Sequence, residues 1–458
     1  MRTPDAMPAL AATVLREART LLRLALPIAL TQLSLMAMGV VDLLMVGRAG
    51  VGAVAALALG NTWKMGTMLV GMGLVFGIDP QISQGHGAGD ARRIALALQR
   101  GFVLAAGVTV LLAGLWLPGE QVLLWCGQAP ETARIAGDYL GVQIPSLPFF
   151  MAWVVLRQYL MGRGIVYPAL WIAIGANVLN AGLNWVLIFG HLGFPAYGAV
   201  GSGMATSAMQ AFMPFGLLAW IRGARLHEGA WVPWSRAALD PAGLRRILAV
   251  GGPIAFQLAF EIWAFQVIVF WAGWLGPEAL AAHSFVFNMI SVSFMAPLGI
   301  ALAAVTRVGN LIGLGRHRDA QLAAWVAFAI AGSVMAVPSA AFLLFPRALG
   351  RLYIQDPAVI AAMGTVLPIA ATFQLFDGLQ VAGGGILRGM GRTRAAALFH
   401  LVGFYVLGLP VAWYLAFPRG LGLVGLWWGL ALALAAVALA FVAWVARRGP
   451  ARMAVDGA

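Results

Sequence analysis

Residues 24–46 read LALPIALTQLSLMAMGVVDLLMV, an apolar run of 23 residues with a single charged side chain, Asp42. A helix needs about 20 mostly apolar residues to cross the hydrocarbon core of a bilayer. Further runs of this kind follow along the chain, and together they lie near 24–46, 53–78, 94–117, 132–156, 165–189, 197–221, 247–274, 280–306, 320–345, 358–386, 395–417 and 422–446. The sequence therefore predicts an all-α polytopic membrane protein with twelve transmembrane helices.

The composition of the 458-residue chain agrees with this fold class, because 62% of its residues are apolar and only 10% are charged. Ordinary soluble proteins have about 45–50% apolar and about 25% charged residues, so a soluble fold is excluded. The net charge of +13 comes from basic residues in the short gaps between apolar runs, which is typical of membrane topology and not of nucleic-acid binding. The single cysteine excludes an internal disulfide and a cysteine-based metal site. We expect no cofactor and no obligate protein partner.

The arginines divide unevenly between the two sides of the membrane. With the N-terminus inside, 23 arginines fall in the gaps on the inner side and 5 in the gaps on the outer side. Since basic residues accumulate on the cytoplasmic side, this bias predicts that both termini are cytoplasmic. The remaining basic residue, Lys64, lies within predicted helix 2. We favour the interpretation that it snorkels to an interface over a role in coupling.

The second half of the sequence repeats the first. Many residues of the first half are matched by a like residue 226 positions later in the chain. Pro27, for example, corresponds to Pro253, and Gly73 corresponds to Gly299. The predicted parts are an N-lobe at 1–221, a cytoplasmic linker at 222–244 and a C-lobe with a cytoplasmic tail at 245–458. Six helices are an even number, so both lobes enter from the same side and are related by an axis along the membrane normal. Two such lobes suit alternating access about a cavity between them.

Three acidic residues lie inside predicted helices: Asp42 in helix 1, Glu261 in helix 7 and Asp377 in helix 10. A charged side chain at the bilayer centre costs about 2.5–3.5 kcal/mol, so each acid must face a partner or a cavity. The arginines lie near helix ends and offer no counter-ion inside. Because ionisable groups within a membrane are functional by default, we predict that the three acids bind transported cations. The alternative is that each is neutralised by a structural partner.

Polar side chains recur at helical spacing along the helices of both lobes. In the C-lobe they are Gln257, Ser284, Asn288, Gln374 and Gln380. In the N-lobe they are Asn177, Asn180 and Asn184, followed on the next helix by Ser202, Thr206 and Gln210. We predict that they line the cavity, while hydrogen bonding between helices is the alternative. Phe265 and Phe373 offer aromatic faces to a lipophilic cation, unless they serve only packing.

The residues are compatible with two coupling ions. A carboxylate in a low-dielectric cavity can bind a proton at physiological pH, and with enough neighbouring oxygen atoms it can bind Na⁺ instead. We favour Na⁺ at Glu261 and Asp377, because the amide and hydroxyl groups of the C-lobe helices could complete an oxygen shell.

Several stretches resemble a known family. They are Leu26-Pro27 through Gln32 with Met38-Gly-Val-Val-Asp42 and Met45-Val-Gly47; Gly251-Gly-Pro253 through Phe260-Glu261; Ala296-Pro-Leu-Gly299 with Arg307-Val-Gly-Asn-Leu-Ile-Gly313; and Phe373-Gln-Leu-Phe-Asp377 through Leu387-Arg-Gly389. They resemble the multidrug and toxin extrusion (MATE) family, and within it the bacterial NorM branch. The resemblance extends over almost the whole chain.

This resemblance implies a V-shaped pump of the bacterial inner membrane that confers antibiotic resistance by exporting cationic amphipathic drugs in exchange for Na⁺ or H⁺. It also implies that Glu261 and Asp377 are the cation-coupling acids of the C-lobe and that Asp42 is the acid of the N-lobe. Asn184 stands where some relatives have a second acid, which favours coupling in the C-lobe.

Three other functions compete with efflux of cations. A lipid-linked sugar flippase of the same superfamily would need a cationic cavity, whereas the buried charges here are acidic. A membrane-embedded enzyme is disfavoured, since no GxSxG or HExxH motif is present and the six histidines lack ligand spacing. A channel is disfavoured because a duplicated two-lobe chain provides no ring of pore elements.

Overall fold

The computed structural model describes residues 6–48 and 51–453. Within these residues, twelve helices are long and apolar enough to cross a membrane, so the predicted number of spans is confirmed. The predicted all-α fold is confirmed as well.

The first half of the chain forms nine α-helices within its described residues. They are α1 (Ala6–Gly47), α2 (Val51–Val75), α3 (Asp79–Gly87), α4 (Ala91–Trp116), α5 (Gly119–Trp125), α6 (Pro130–Gly141), α7 (Leu147–Gly162), α8 (Tyr167–Phe189) and α9 (Gly198–Gly223). Helices α2 and α3 together form one span, as do α6 and α7. Gly190 ends α8 in the left-handed conformation with φ 78°, which a residue without a Cβ adopts at little cost.

The second half continues with nine more helices and one π-helical segment. They are α10 (Pro241–Trp274), α11 (Pro277–Gly313), α12 (His317–Leu344), α13 (Pro346–Tyr353), α14 (Pro357–Met390), α15 (Thr393–His400), the π-helix Leu401–Gly408, α16 (Leu409–Ala416), α17 (Gly422–Arg448) and α18 (Pro450–Met453). Proline begins several of these helices, since its fixed φ suits the first helical position and its missing N–H is not needed there.

Helix α1 is continuous through its polar beginning. The first predicted span begins near residue 24, whereas the structure has one helix from Ala6 to Gly47. Glu17 near its start is buried and accepts hydrogen bonds from Arg307, at 2.5 Å from Nη2 and 2.8 Å from Nε. This bidentate ion pair joins the polar turns of α1 to α11.

The described chain forms two compact units whose boundaries lie inside helices. One unit contains the chain up to Ala29 and from Phe256 onward, and the other contains Leu30–Ala255. The two boundaries are separated by the 226-residue offset of the sequence repeat. The beginning of α1 thus packs with the second half, and the beginning of α10 with the first half. The lobes predicted from the sequence repeat, at 1–221 and 245–458 with the linker 222–244 between them, stay a prediction.

Equivalent glycines make these exchanged contacts possible. In one unit, a Cβ on Gly73 of α2 would lie 2.6 Å from the Cα of Ala255. In the other, a Cβ on Gly299 of α11 would lie 2.9 Å from the backbone nitrogen of Ala29. Glycine is therefore required at both positions, because the backbone of the crossing helix occupies the space of any side chain. The two contacts are related by the same offset of 226 residues.

Helix α14 is central in the unit that contains the second half. It packs against α11, α12 and α17. In the other unit, α8 packs on α9, and α4 packs on α7. The linker residues 222–244 belong to this second unit, where Gln99 of α4 donates hydrogen bonds to the carbonyl groups of Val232 (3.1 Å) and Pro233 (3.2 Å). The linker is thus anchored on α4.

Candidate functional site

The Asp42 cluster joins α1, α8 and α9 through four side chains: Asp42, Asn180, Asn184 and Thr206. Asn184 Nδ2 donates to Asp42 Oδ1 at 2.6 Å and to Asn180 Oδ1 at 3.1 Å. Thr206 Oγ1 donates to Asp42 Oδ2 at 3.3 Å. All four residues are buried. Residues 180 and 184 are one helical turn apart, so they share the face of α8 that meets Asp42. The cluster is a buried carboxylate whose hydrogen-bond partners are neutral, and Lys64 of α2 lies near enough to Asp42 for the two charges to interact.

The other polar residues predicted in this unit lie elsewhere. Asn177 donates from Nδ2 to the Oγ of Ser34 at 2.6 Å and to its carbonyl oxygen at 2.8 Å. Gln210 Oε1 accepts a hydrogen bond from Ser146 at 2.6 Å. These contacts join helices in the way that polar side chains commonly do within membranes. Ser202 is buried, and its Oγ has no hydrogen-bond partner among the described residues.

Lys64 forms hydrogen bonds outside the Asp42 cluster. Its Nζ donates to Tyr139 Oη at 3.1 Å and to Gln143 Oε1 at 3.2 Å. Tyr139 in turn donates to Asn61 Oδ1 at 2.9 Å. The half-buried ammonium thus has neutral hydrogen-bond partners within its unit, and the interpretation that Lys64 snorkels to an interface stays a prediction. Sequence spacing alone did not predict the hydrogen-bond partners of Lys64.

The Glu261 cluster consists of Glu261 and Gln257 on α10, Gln380 on α14 and His400 at the end of α15. Gln380 Nε2 lies 3.5 Å from Glu261 Oε1, and His400 Nε2 lies 3.7 Å from Glu261 Oε2. Gln380 Nε2 and Gln257 Nε2 lie 2.6 Å and 3.4 Å from His400 Nε2. The structure therefore brings together three of the predicted C-lobe residues and adds a histidine.

Asp377 lies buried on α14, near enough to Glu261 for the two charges to interact. Among the described residues, no lysine or arginine forms an ion pair with either acid. Two like charges in a low-dielectric region repel each other, so binding a cation or a proton relieves the repulsion. One turn away, Gln374 donates from Nε2 to Ser293 Oγ at 2.5 Å. Gln374 is thus bound to α11 and not to the acids.

Two residues predicted to supply oxygen ligands to a cation lie apart from the acids. Ser284 and Asn288 are both exposed on α11. Ser284 Oγ donates to the carbonyl of Leu280 at 2.8 Å, and Asn288 Oδ1 accepts from Tyr353 at 3.3 Å. The structure does not bring either side chain into contact with Glu261 or Asp377.

Aromatic rings pack beside the Glu261 cluster. The ring of Phe265 lies 6.2 Å from that of Phe373 and 5.9 Å from that of Phe404, measured between centroids. Phe373 also meets Trp427 at 5.8 Å. Phe373 is buried, whereas Phe265 is half-buried. The structure therefore brings the two predicted aromatics into contact with each other.

His400 is the residue of this site that sequence reasoning missed. It is separated by 139 residues from Glu261 and by 20 from Gln380, so no local spacing indicates the contact. The available signal was a titratable residue inside a predicted transmembrane helix, the same signal that identified the acids.

The chain resembles proteins of one transporter family. The MatE family profile matches residues 27–186 and 253–414, once in each half. The chain is 35% identical to the probable multidrug resistance protein NorM of Bradyrhizobium diazoefficiens, over 90% of this chain and 89% of that protein. It is 34% identical to the multidrug resistance protein NorM of Burkholderia vietnamiensis, over 97% and 96% of the two chains. The crystal structure of the eukaryotic MATE transporter AtDTX14 shares the fold, with a TM-score of 0.88 at 23% identity over 97% of this chain and 98% of that one.

Proposed function

We propose that this chain, which belongs to the MatE family, exports lipophilic organic cations in antiport with Na⁺ or H⁺. The chain is a multi-pass membrane protein and a multidrug efflux transporter of the secondary active type, not an enzyme. The finer parts of the proposal are the charge of the drugs, the exchanged ion and the residues that couple the two.

The observation that carries the proposal is the interacting pair of acids, the half-buried Glu261 and the buried Asp377, with no lysine or arginine partner among the described residues. Such a pair is stabilised by a bound cation or proton, so its occupancy follows the ion gradient across the membrane. We assign coupling to this pair. Asp42, in the other unit, provides a separate buried negative charge for a cationic drug, with Asn180, Asn184 and Thr206 around it.

The aromatic contacts support a lipophilic cation as substrate. Phe265 and Phe373 pack together beside the acids, and aromatic faces attract organic cations through the ring quadrupole. A lipid-linked sugar with a pyrophosphate group would instead require buried basic residues. Arg157 of α7 is buried, but it donates to Gln32 at 2.7 Å and is not part of either cluster. The carboxylates of the Asp42 and Glu261 clusters therefore favour efflux of cations.

Uptake of ethidium by everted membrane vesicles tests the proposal, because export from the cell becomes uptake into such vesicles. We expect an imposed ion gradient to drive ethidium into vesicles that contain the protein. Vesicles from the same pump-deficient host with an empty vector provide the control. Failure to transport any cationic dye, with membrane expression confirmed, would contradict the proposed function.

The proposed location is the bacterial inner membrane with cytoplasmic termini and a cytoplasmic linker, and the native cysteine offers a test. Cys126 is exposed in the gap between predicted helices 3 and 4, which this topology places outside. A membrane-impermeant maleimide should label Cys126 in intact cells. The double variant Cys126→Ser with Ser235→Cys places the thiol in the linker and should label only after the cells are opened. Labelling of the double variant in intact cells would refute the topology.

A further inference from the structure

The hydrogen bonds of His400 determine which ring nitrogen carries the proton. The ring is fully buried, and Nδ1 lies 2.9 Å from the carbonyl oxygen of Ala396. A carbonyl oxygen can only accept, so Nδ1 must be the donor. In the neutral ring, Nε2 is therefore an acceptor.

This tautomer fixes the orientation of the Gln380 amide. Gln380 Nε2 lies 2.6 Å from His400 Nε2 and must present an N–H to its single lone pair, and Gln257 Nε2 lies 3.4 Å from the same atom. The same nitrogen of Gln380 faces Glu261 at 3.5 Å. The oxygen of the Gln380 amide is buried without a hydrogen-bond partner among the described residues. His400 thus turns the amide oxygen away from the acid.

Packing holds the ring in this position. The His400 ring lies 5.9 Å from the ring of Phe404 and 5.8 Å from that of Phe441. The π-helix Leu401–Gly408 follows directly, and a Cβ on its Gly403 would lie 2.3 Å from Val437 of α17. Such close contact leaves the segment little room to shift, so the orientation of the Gln380 amide is built into the fold.

We infer that His400 is a positioning residue that makes the Glu261 cluster select against Na⁺. Sodium is a hard cation that needs several oxygen ligands, and an N–H group turned toward the site repels it. A proton binds to a single carboxylate oxygen and needs no such shell. The inference rests on the proposed function and departs from the expectation that Gln257 and Gln380 supply oxygen atoms to Na⁺. The other acid facing the cluster is Asp377.

The test replaces His400 by Leu, which removes the acceptor and fills the space among the phenylalanines. The Gln380 amide is then free to turn its oxygen toward Glu261. His283→Leu is the matched control, because His283 is buried in the same unit and stacks on Phe287 without forming part of the Glu261 cluster. Purified wild-type and variant proteins are reconstituted into liposomes, and ethidium transport is measured with an imposed Na⁺ gradient at constant pH or with an imposed pH gradient.

We expect the wild type and His283→Leu to respond to the pH gradient and to be insensitive to the Na⁺ gradient. In His400→Leu, the Na⁺ gradient should accelerate transport about tenfold, the effect of gaining one favourable polar contact to the ion. His400→Gln, which restores an acceptor near the position of Nε2, should remain insensitive to Na⁺. If His400→Leu does not reach the membrane, His400→Val takes its place in the experiment. Valine also lacks the acceptor and is smaller than leucine, and the expected result is the same.

If the Na⁺ gradient drives wild-type transport as strongly as the pH gradient does, this inference is overturned while the proposed function stands. Sodium insensitivity of both acceptor-free variants would also overturn it. Absence of ethidium transport by the wild type under both gradients would contradict the proposed function, so the two failures are distinguishable.

Discussion

Replacing Glu261 by Gln or Asp377 by Asn is expected to abolish gradient-driven efflux while the protein still folds. Each change keeps the size of the side chain and its capacity for hydrogen bonds but removes the charge that binds a cation. In one-for-one exchange with a monovalent drug no net charge crosses the membrane, so a tenfold ion gradient, worth about 1.4 kcal/mol, supports a roughly tenfold drug gradient. Ethidium accumulation in everted vesicles should therefore fall from this range to that of the empty vector.

The matched control for these variants is Glu278→Gln. Glu278 is an exposed acid in the first turn of α11, in the same unit as the other two. Because Glu278 is exposed and is not among the residues of the Glu261 cluster, we expect efflux by Glu278→Gln to equal that of the wild type at matched expression. Wild-type efflux by both Glu261→Gln and Asp377→Asn would mean that the two acids are structural.

Asp42→Asn is expected to weaken drug binding and leave the response to the ion gradient intact. The amide can still take part in hydrogen bonds with Asn184 and Thr206, so the packing of α1 against α8 and α9 should persist. The lost interaction is that of a buried charge with a cationic drug, which is worth about 1.5–3 kcal/mol and corresponds to a roughly tenfold to hundredfold rise in the half-saturating drug concentration. The measurement is the initial rate of efflux against ethidium concentration.

Asp138→Asn provides the control for that variant. Asp138 is an exposed acid of the same unit, paired at 4.0 Å with Arg134. Its replacement should leave the half-saturating concentration unchanged. An unchanged value for Asp42→Asn as well would assign Asp42 to structure and not to the drug.

The spans and the repeat were predictable because they depend on local properties of the sequence. Bilayer thickness sets the length of each apolar run, and the offset of 226 residues reappears in the boundaries of the two units. The Asp42 cluster was partly predictable for a similar reason. Residues 180 and 184 share a helix face, and a buried acid requires polar partners.

The remaining features depend on packing between distant segments. The continuity of α1 follows from the contact of Glu17 with Arg307, which are 290 residues apart. The contact of His400 with Glu261 and the bonding of Lys64 to Tyr139 are likewise tertiary. Helical spacing placed Ser284 and Asn288 on a common stripe but could not tell which way that stripe faces. In the structure both are exposed.

Gradient-driven ethidium uptake by purified protein in liposomes tests the central claim most directly. The comparison is between the wild type and the double variant Glu261→Gln with Asp377→Asn, reconstituted at equal density with a pH gradient and a Na⁺ gradient imposed together. The account predicts that the wild type accumulates ethidium against its gradient, whereas the double variant only allows it to equilibrate. Equal accumulation by the two proteins would contradict the assignment of coupling to Glu261 and Asp377.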